Sequence, residues 1–374
     1  MSLKISTILT VCVLLLSNSI NAQLIHPGGW VTGDELSIIR EKVAAQEEPW
    51  YGAWQALEDY EIGVDYKASV SPIMTSSPDY QKQAHAAYVL TMKWVASGEK
   101  AYATAAKNII DDWVNTVKDF TEEDEQTSLR CGIGSNKMAQ AAEILAWGLN
   151  GEADWSPASI TKAQAWFKDV VYPYISTGPM RSTNFGTSAL AGCMSIAIFR
   201  DDTAMFNAAC EAYKYGFTNT WDGCCNVTNY IINAEGQCYE TGRDQIHAQG
   251  GISHLVETAM IAWNQGVDLV SFADYRVVAG MEYTAKYNLG YDVPWTSDVP
   301  NPCNLDVYWA DSISADGRGQ WSPIYVLAAT LFERAGQAHP YTSEVVTSST
   351  YTYPETHNSD HPGLGTLMYS VPTE

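Results

Sequence analysis

The run Glu240-Thr-Gly-Arg243-Asp244-Gln245-Ile-His247-Ala-Gln249-Gly-Gly251 gathers a carboxylate, a guanidinium, an imidazole and a bare stretch of backbone. Written as one helix, Glu240, Arg243, His247 and Gly251 share a face. Two potential cations on one face are unfavourable unless they meet anions, either Glu240 and Asp244 or a bound ligand. The alternative for His247 is a hydrogen-bonded histidine inside a helix pair. Further on, Ile252, Leu255, Val256, Ala259, Ala262 and Trp263 restore an apolar stripe, so the polar start is expected to floor a cleft while the remainder is buried. His254 lies close to that face amid apolar residues and reads as structural.

Two other segments carry chemistry. In Arg181-Ser-Thr-Asn184-Phe-Gly186-Thr-Ser188, a loop passes into an apolar helix, which leaves the Asn184 amide and nearby backbone N–H groups available; the alternative is a plain N-cap. In Asn304-Leu-Asp-Val-Tyr308-Trp309 and Asp316-Gly317-Arg318-Gly319, an arginine between two glycines can approach a ligand closely, with the Tyr308 phenol nearby in sequence. A solvent loop with an Arg318–Asp316 ion pair is the alternative there.

The chain has 374 residues and a formal charge of −22. Residues 1–22, with a lone Lys4, an apolar run from Ile8 to Leu16 and Asn21-Ala22 before Gln23, have the layout of a secretory signal peptide. Its removal takes one cation and no acid, making the charge −23 for the remaining 352 residues, a length suited to one large domain over 23–374. No later segment stays apolar long enough to cross a bilayer, so a secreted or periplasmic monomer is expected. Nucleic acid and anionic membranes are poor partners for this charge, whereas a polyanion can still bind where a few Arg and Lys dominate one cleft. Seven cysteines remain after the signal, an odd number. Export favours disulfides, and a staple from the Cys224-Cys225 pair to Cys238 is expected. No CxxC pair has a His partner at zinc spacing, so no metal site is expected.

Helical periodicity dominates. Amphipathic patterns cover residues 35–45, 80–96, 101–117, 136–149, 187–199, 202–215, 272–287 and 323–335, with Asn150-Gly151 a stop and Ser156-Pro157 a start. Strand alternation is confined to the tail, 343–353. About ten helices of similar length point to an all-α fold, an (α/α) toroid or incomplete barrel of antiparallel helix pairs whose loops on one rim form the cleft. Thirteen Trp and twenty-two Tyr suit both core packing and stacking on sugar rings.

The Asn184 loop, the run Gly236-Gln-Cys-Tyr-Glu240-Thr-Gly-Arg243-Asp244-Gln245-Ile-His247, the continuation Ala262-Trp-Asn-Gln-Gly-Val-Asp268-Leu and Gly317-Arg318-Gly319 together resemble the alginate lyase superfamily of polysaccharide lyases. The resemblance implies an (α/α) toroid in which Asn184 and Arg243 or Arg318 neutralise a uronate carboxylate, with His247 and a tyrosine as base and acid. The tyrosine that some relatives carry one or two turns after the arginine is missing here; Tyr308 is the first choice, Tyr291 the second. Removing the C5 proton of a uronic acid builds negative charge on the adjoining carboxylate, and one preorganised donor there is worth about 3 kcal/mol. Neither metal nor organic cofactor is required. Glu240 is expected to orient Arg243, while Lys137, Gln140 and Glu143 on an earlier helix, with Gln245 and Gln249, are candidates for flanking sugar subsites. A glycoside hydrolase on the same scaffold would use Glu240 with Asp244, or Glu143 with Asp316. An adjacent Arg and His disfavour a raised carboxyl pKa in the first pair. A non-catalytic sugar-binding protein would leave the Arg–His face without a task.

Overall fold

The computed structural model describes residues 23–121, 126–176, 183–216, 224–298 and 311–370. The central helices are α3 (Ser77–Ser97), α5 (Gln126–Trp147), α8 (Asn184–Phe199) and α11 (Gln245–Asn264), and each packs on the next. They are buried on nearly every side; α8 is buried from Gly186 to Phe199. Such helices lack a solvent face and show little amphipathic asymmetry.

The circuit closes through elements from both ends of the chain. α13 (Tyr325–Arg334) packs on α11, α15 (Gly365–Tyr369) on α13, and α1 (Gly33–Ala44) on both α15 and α3. Outside it lie α2 (Trp50–Glu58) against α1, α4 (Lys100–Thr116) against α3, α9 (Thr203–Tyr215) against α8, α12 (Phe272–Asn288) against α11 and α14 (Pro340–Thr347) against α12 and α13. The short helices α6 (Pro157–Trp166), α7 (Tyr172–Ser176) and α10 (Val227–Tyr230) fill the connections. This is the expected all-α toroid. Strand is limited among the described residues to β1 (Ile73–Met74) and β2 (Asp119–Phe120), paired in parallel.

Local signals explain the element ends. Thr32 and Glu35 form a reciprocal capping box before α1. Gly98, at φ 79°, ends α3 in the left-handed region and lets α4 begin two residues later, folding the pair antiparallel. Ser156 caps α6 ahead of Pro157, and Asp202 caps α9.

Three expectations are corrected. The tail is not a strand: residues 340–347 form α14, because Pro340 opens a helix whose Thr342 and Val345 are buried. The chemistry-bearing stretch is not one helix: residues 239–242 form a 3₁₀ turn and α11 begins only at Gln245, with Asp244 as its N-cap. Cys225 and Cys238 are free thiols, so no staple joins Cys238 to the Cys224-Cys225 pair. No described helix is long and apolar enough to cross a membrane. The signal segment lies outside the described residues.

α5 and α8 pack most closely where two glycines meet. A Cβ on Gly132 would stand 2.8 Å from the backbone of Ser188 and Ala189, and one on Gly192 would stand 2.8 Å from the Gly132 carbonyl. Backbone cannot yield as a flexible side chain can, so Gly132→Ala is expected to destabilise the chain by about 1–3 kcal/mol despite alanine's higher helix propensity. Urea denaturation measures this, and a stability gain would show that the helices separate at little cost.

Candidate active site

The first turns of α3, α5, α8 and α11 meet at one end of the toroid around a cleft of about 410 Å³. Its walls include Gln81 and Lys82 from α3, Arg130 and Ile133 from α5, Asn184 from α8, and Ile246, His247, Gly250 and His254 from α11. The tail residues Asn358, Ser359, Asp360 and His361 complete it. Four helix N-termini around one opening direct the positive ends of four dipoles at it, which favours an anionic occupant.

Behind this surface lies Glu240, fully buried in the 3₁₀ turn. Its Oε2 accepts a 2.7 Å hydrogen bond from the Asn184 backbone N–H, and its Oε1 pairs with Arg243 Nη1 at 3.0 Å. The Tyr230 hydroxyl donates to the Ala248 carbonyl at 2.9 Å and lies 3.5 Å from Glu240 Oε2. Gly251, read as bare backbone, is covered by this ring: a Cβ there would fall 2.0 Å from the Tyr230 hydroxyl oxygen. Glu240 thus pairs with Arg243 and also caps α8.

The expectation that neighbouring cations keep the Glu240 carboxyl ordinary is not met. Burial drives it up to about 7, against the Asn184 N–H and Arg243, which pull it down. Full burial also denies it the reach of a glycosidase acid. Glu143, offered for the second hydrolase pair, is buried against His26 Nδ1 at 2.8 Å.

Asp244 performs two tasks. Its Oδ1 accepts from the His247 backbone N–H at 2.7 Å, capping α11, and its Oδ2 accepts from the His247 ring Nδ1 at 2.6 Å. Because an ionised carboxylate only accepts, the ring proton sits on Nδ1 and the Nε2 lone pair is left for proton abstraction. The Asn184 Oδ1 is buried without a hydrogen-bond partner among the described residues, so its amide at the cleft wall is uncommitted.

Several expected subsite residues serve the scaffold instead. Gln245 Nε2 donates to the carbonyls of Thr241 and Ser314, and Gln249 Nε2 to those of Gln245 and Gln320. Gln140 is buried between the Trp30 N–H and Ser195 Oγ. Lys137 is buried and donates to the Asn358 carbonyl, with its ammonium pulled down by burial to about 7. Arg318 stacks on the Tyr287 ring at 3.9 Å and donates to the carbonyls of Tyr287 and Tyr291, stapling its loop to the end of α12. The exposed Tyr291 hydroxyl donates to Glu344. No tyrosine among the described residues lines the cleft, and Tyr308 lies outside them.

The structure adds residues that sequence reasoning missed. Arg130 lines the cleft with its Nε buried and without a partner among the described residues. Its only signal was a lone cation within a run of small and apolar residues. The tail is bound by Gln81, which donates to Asp360, by Lys137 at Asn358, and by Glu257, whose Oε1 lies 2.8 Å from His361 Nδ1. Burial alone would raise the Glu257 carboxyl, but His254 and His361 outweigh it and hold it at about 2.

The helical toroid is also the fold of solved alginate lyases. Alginate lyase A1-III from Sphingomonas species A1 superposes with a TM-score of 0.66 at 15% identity, covering 95% of this chain and 100% of that one. A variant of alginate lyase A1-III in complex with a tetrasaccharide gives 0.67 at 16% identity, covering 96% and 100%. An alginate lyase from Bacteroides ovatus gives 0.61 at 12% identity, covering 93% and 100%. No curated protein matches in sequence at a significant level. Residues 71–293 match the alginate lyase family, and the chain belongs to that family of polysaccharide lyases.

The raised Glu240 carboxyl has a measurable consequence. Between about 4.5 and about 7 the folded chain keeps a proton that the unfolded chain has released, so stability falls as pH rises through that window and levels above it. The melting temperature of the wild type relative to Glu240→Gln is expected to fall across the same window. A difference independent of pH would refute the shift.

Proposed function

We propose that the chain cleaves a uronic-acid-containing polysaccharide of the alginate or glucuronan type by β-elimination. The observation that carries this reading is the meeting, in one cleft, of an asparagine amide, an imidazole Nε2 and an arginine that are uncommitted among the described residues, together with four helix N-termini. A uronate carboxylate bound by Asn184 and Arg130, with Arg243 held close behind by Glu240, would have its developing negative charge stabilised. His247 Nε2 takes the C5 proton, the electron pair forms the C4–C5 double bond, and the C4–O bond breaks. Tyr308 supplies the proton to the leaving oxygen. Each step moves a proton and an electron pair only.

Secretion after cleavage near Ala22 belongs to the same proposal, since a polymer is met outside the cell, and a monomer suffices because one chain supplies these residues. A hydrolase would need an accessible carboxylic acid across the cleft, a place that neither Glu240 nor Glu143 occupies.

Incubation with alginate, polyglucuronate and pectin is expected to produce the ultraviolet absorbance of an unsaturated uronate from at least one of them. Saturated reducing ends without that absorbance would sink the proposal. His247→Ala is expected to lower kcat by about 10²–10⁴-fold and Asn184→Ala by about 10²–10³-fold, with the melting temperature nearly unchanged. A large stability loss in His247→Ala would make it a structural histidine. Arg130→Ala is expected to raise KM about tenfold or more, as for loss of a charged hydrogen bond, while Arg318→Ala leaves KM unchanged. The reverse pattern would move the anion site to the Arg318 loop.

A further inference from the structure

His254 and Glu257 stand one helical turn apart on α11, and the tail brings His361 onto them from 104 residues beyond Glu257. All three are buried, and their ligand atoms lie within 4.8 Å of one another. Glu257 Oε1 is 2.8 Å from His361 Nδ1 and Oε2 is 3.4 Å from His254 Nδ1, with the two rings 4.9 Å apart. Four ligands around an ion at 2.0–2.1 Å stand about 3.3–3.4 Å from one another; the His254–Glu257 separation of 3.4 Å already has that length, and the three ligand atoms, within 4.8 Å of one another, draw together to close on a metal.

We propose that His254, Glu257 and His361 form a divalent-cation site that clips the tail to α11 at the cleft wall. Two imidazole nitrogens and one carboxylate oxygen select a zinc-like ion over calcium or magnesium, which take mostly oxygen ligands. Three protein ligands leave a fourth position, and His254 and His361 both line the cleft, so that position opens towards it.

The surroundings have the character of an outer ligand shell. Asn136 Nδ2 donates to Glu257 Oε2, and Asn136 Oδ1 accepts from Ser195 Oγ at 2.6 Å. Ser195 Oγ in turn accepts from Gln140 Nε2 at 2.9 Å, and Gln140 Oε1 accepts from the Trp30 N–H at 2.8 Å. This relay of buried groups runs across α5 and α8 and fixes which way the carboxylate points, as outer-shell partners do in metal centres. Asp360, beside His361 in the tail, adds a second negative charge near the site. Sequence spacing alone could not reveal the set, because its third member is remote in the chain.

The test reads metal and stands whatever the outcome of the lyase assays. Full-length chain without a histidine tag, freed of metal by chelator, is titrated with Zn²⁺ by calorimetry. One equivalent is expected to bind with a Kd of about 1 μM or tighter and to raise the melting temperature. Co²⁺ in its place is expected to give the visible bands of a four- or five-coordinate nitrogen and oxygen site. His361→Ala and Glu257→Gln are expected to weaken binding by about 100-fold or more, and Asn136→Ala by about 10–100-fold. Absence of saturable binding to the wild-type chain, or equal binding by folded variants, would overturn the site. Should a variant fail to fold, the wild-type stoichiometry and Co²⁺ spectrum decide alone, since octahedral bands or several weak equivalents exclude a buried three-ligand centre.

Discussion

The site depends on one buried carboxylate. Glu240 receives the first N–H of α8 on one oxygen and the Arg243 guanidinium on the other. It thereby ties the start of α8 to the turn that precedes α11. Its burial is unfavourable for the charged form, as the raised pKa records, and only the convergence of a helix N-terminus and a guanidinium keeps the ionised state within reach. It thus gives Asn184 and Arg243 a common reference, in addition to the packing of α8 on α11.

The second constraint is topological. A short connection such as Gly98 makes each outer helix run antiparallel to the inner one before it, and repetition brings the inner N-termini to the same end. A chain with a formal charge of −22 therefore has one region where backbone dipoles, Lys82 and Arg130 oppose that field. Overall charge repels polyanions in general, while the rim locally favours negative charge; these statements concern different length scales and do not conflict.

The legible parts of the sequence were those where signals are local. Ser156-Pro157, Asp202 and the apolar patterns of α3, α4 and α9 fall where their residue types demand, and the toroid follows from helices that cannot bury their faces alone. Asn184 and His247 open the helices the sequence suggested, and both line the cleft. What was illegible required knowledge of which groups meet. Gln140, Gln245 and Gln249 look like sugar ligands in sequence, yet each spends its amide on backbone or buried partners, as a closed ring of helices with irregular connections requires. Arg318 between glycines is better explained by the need to seal a loop to Tyr287 than by ligand approach. Arg130 and His361 were missed because nothing near them in sequence repeats their chemistry.

The wall formed by residues 358–361 has a consequence for synthesis. A ribosome delivers α3, α5, α8 and α11 first, so the helices that frame the opening can pack while the cleft is still a groove with one side absent. Only when residues 358–361 emerge do Asp360 and His361 dock on Gln81 and Glu257 and turn the groove into an enclosure. Until residues 358–361 dock, the cleft therefore lacks one of its walls.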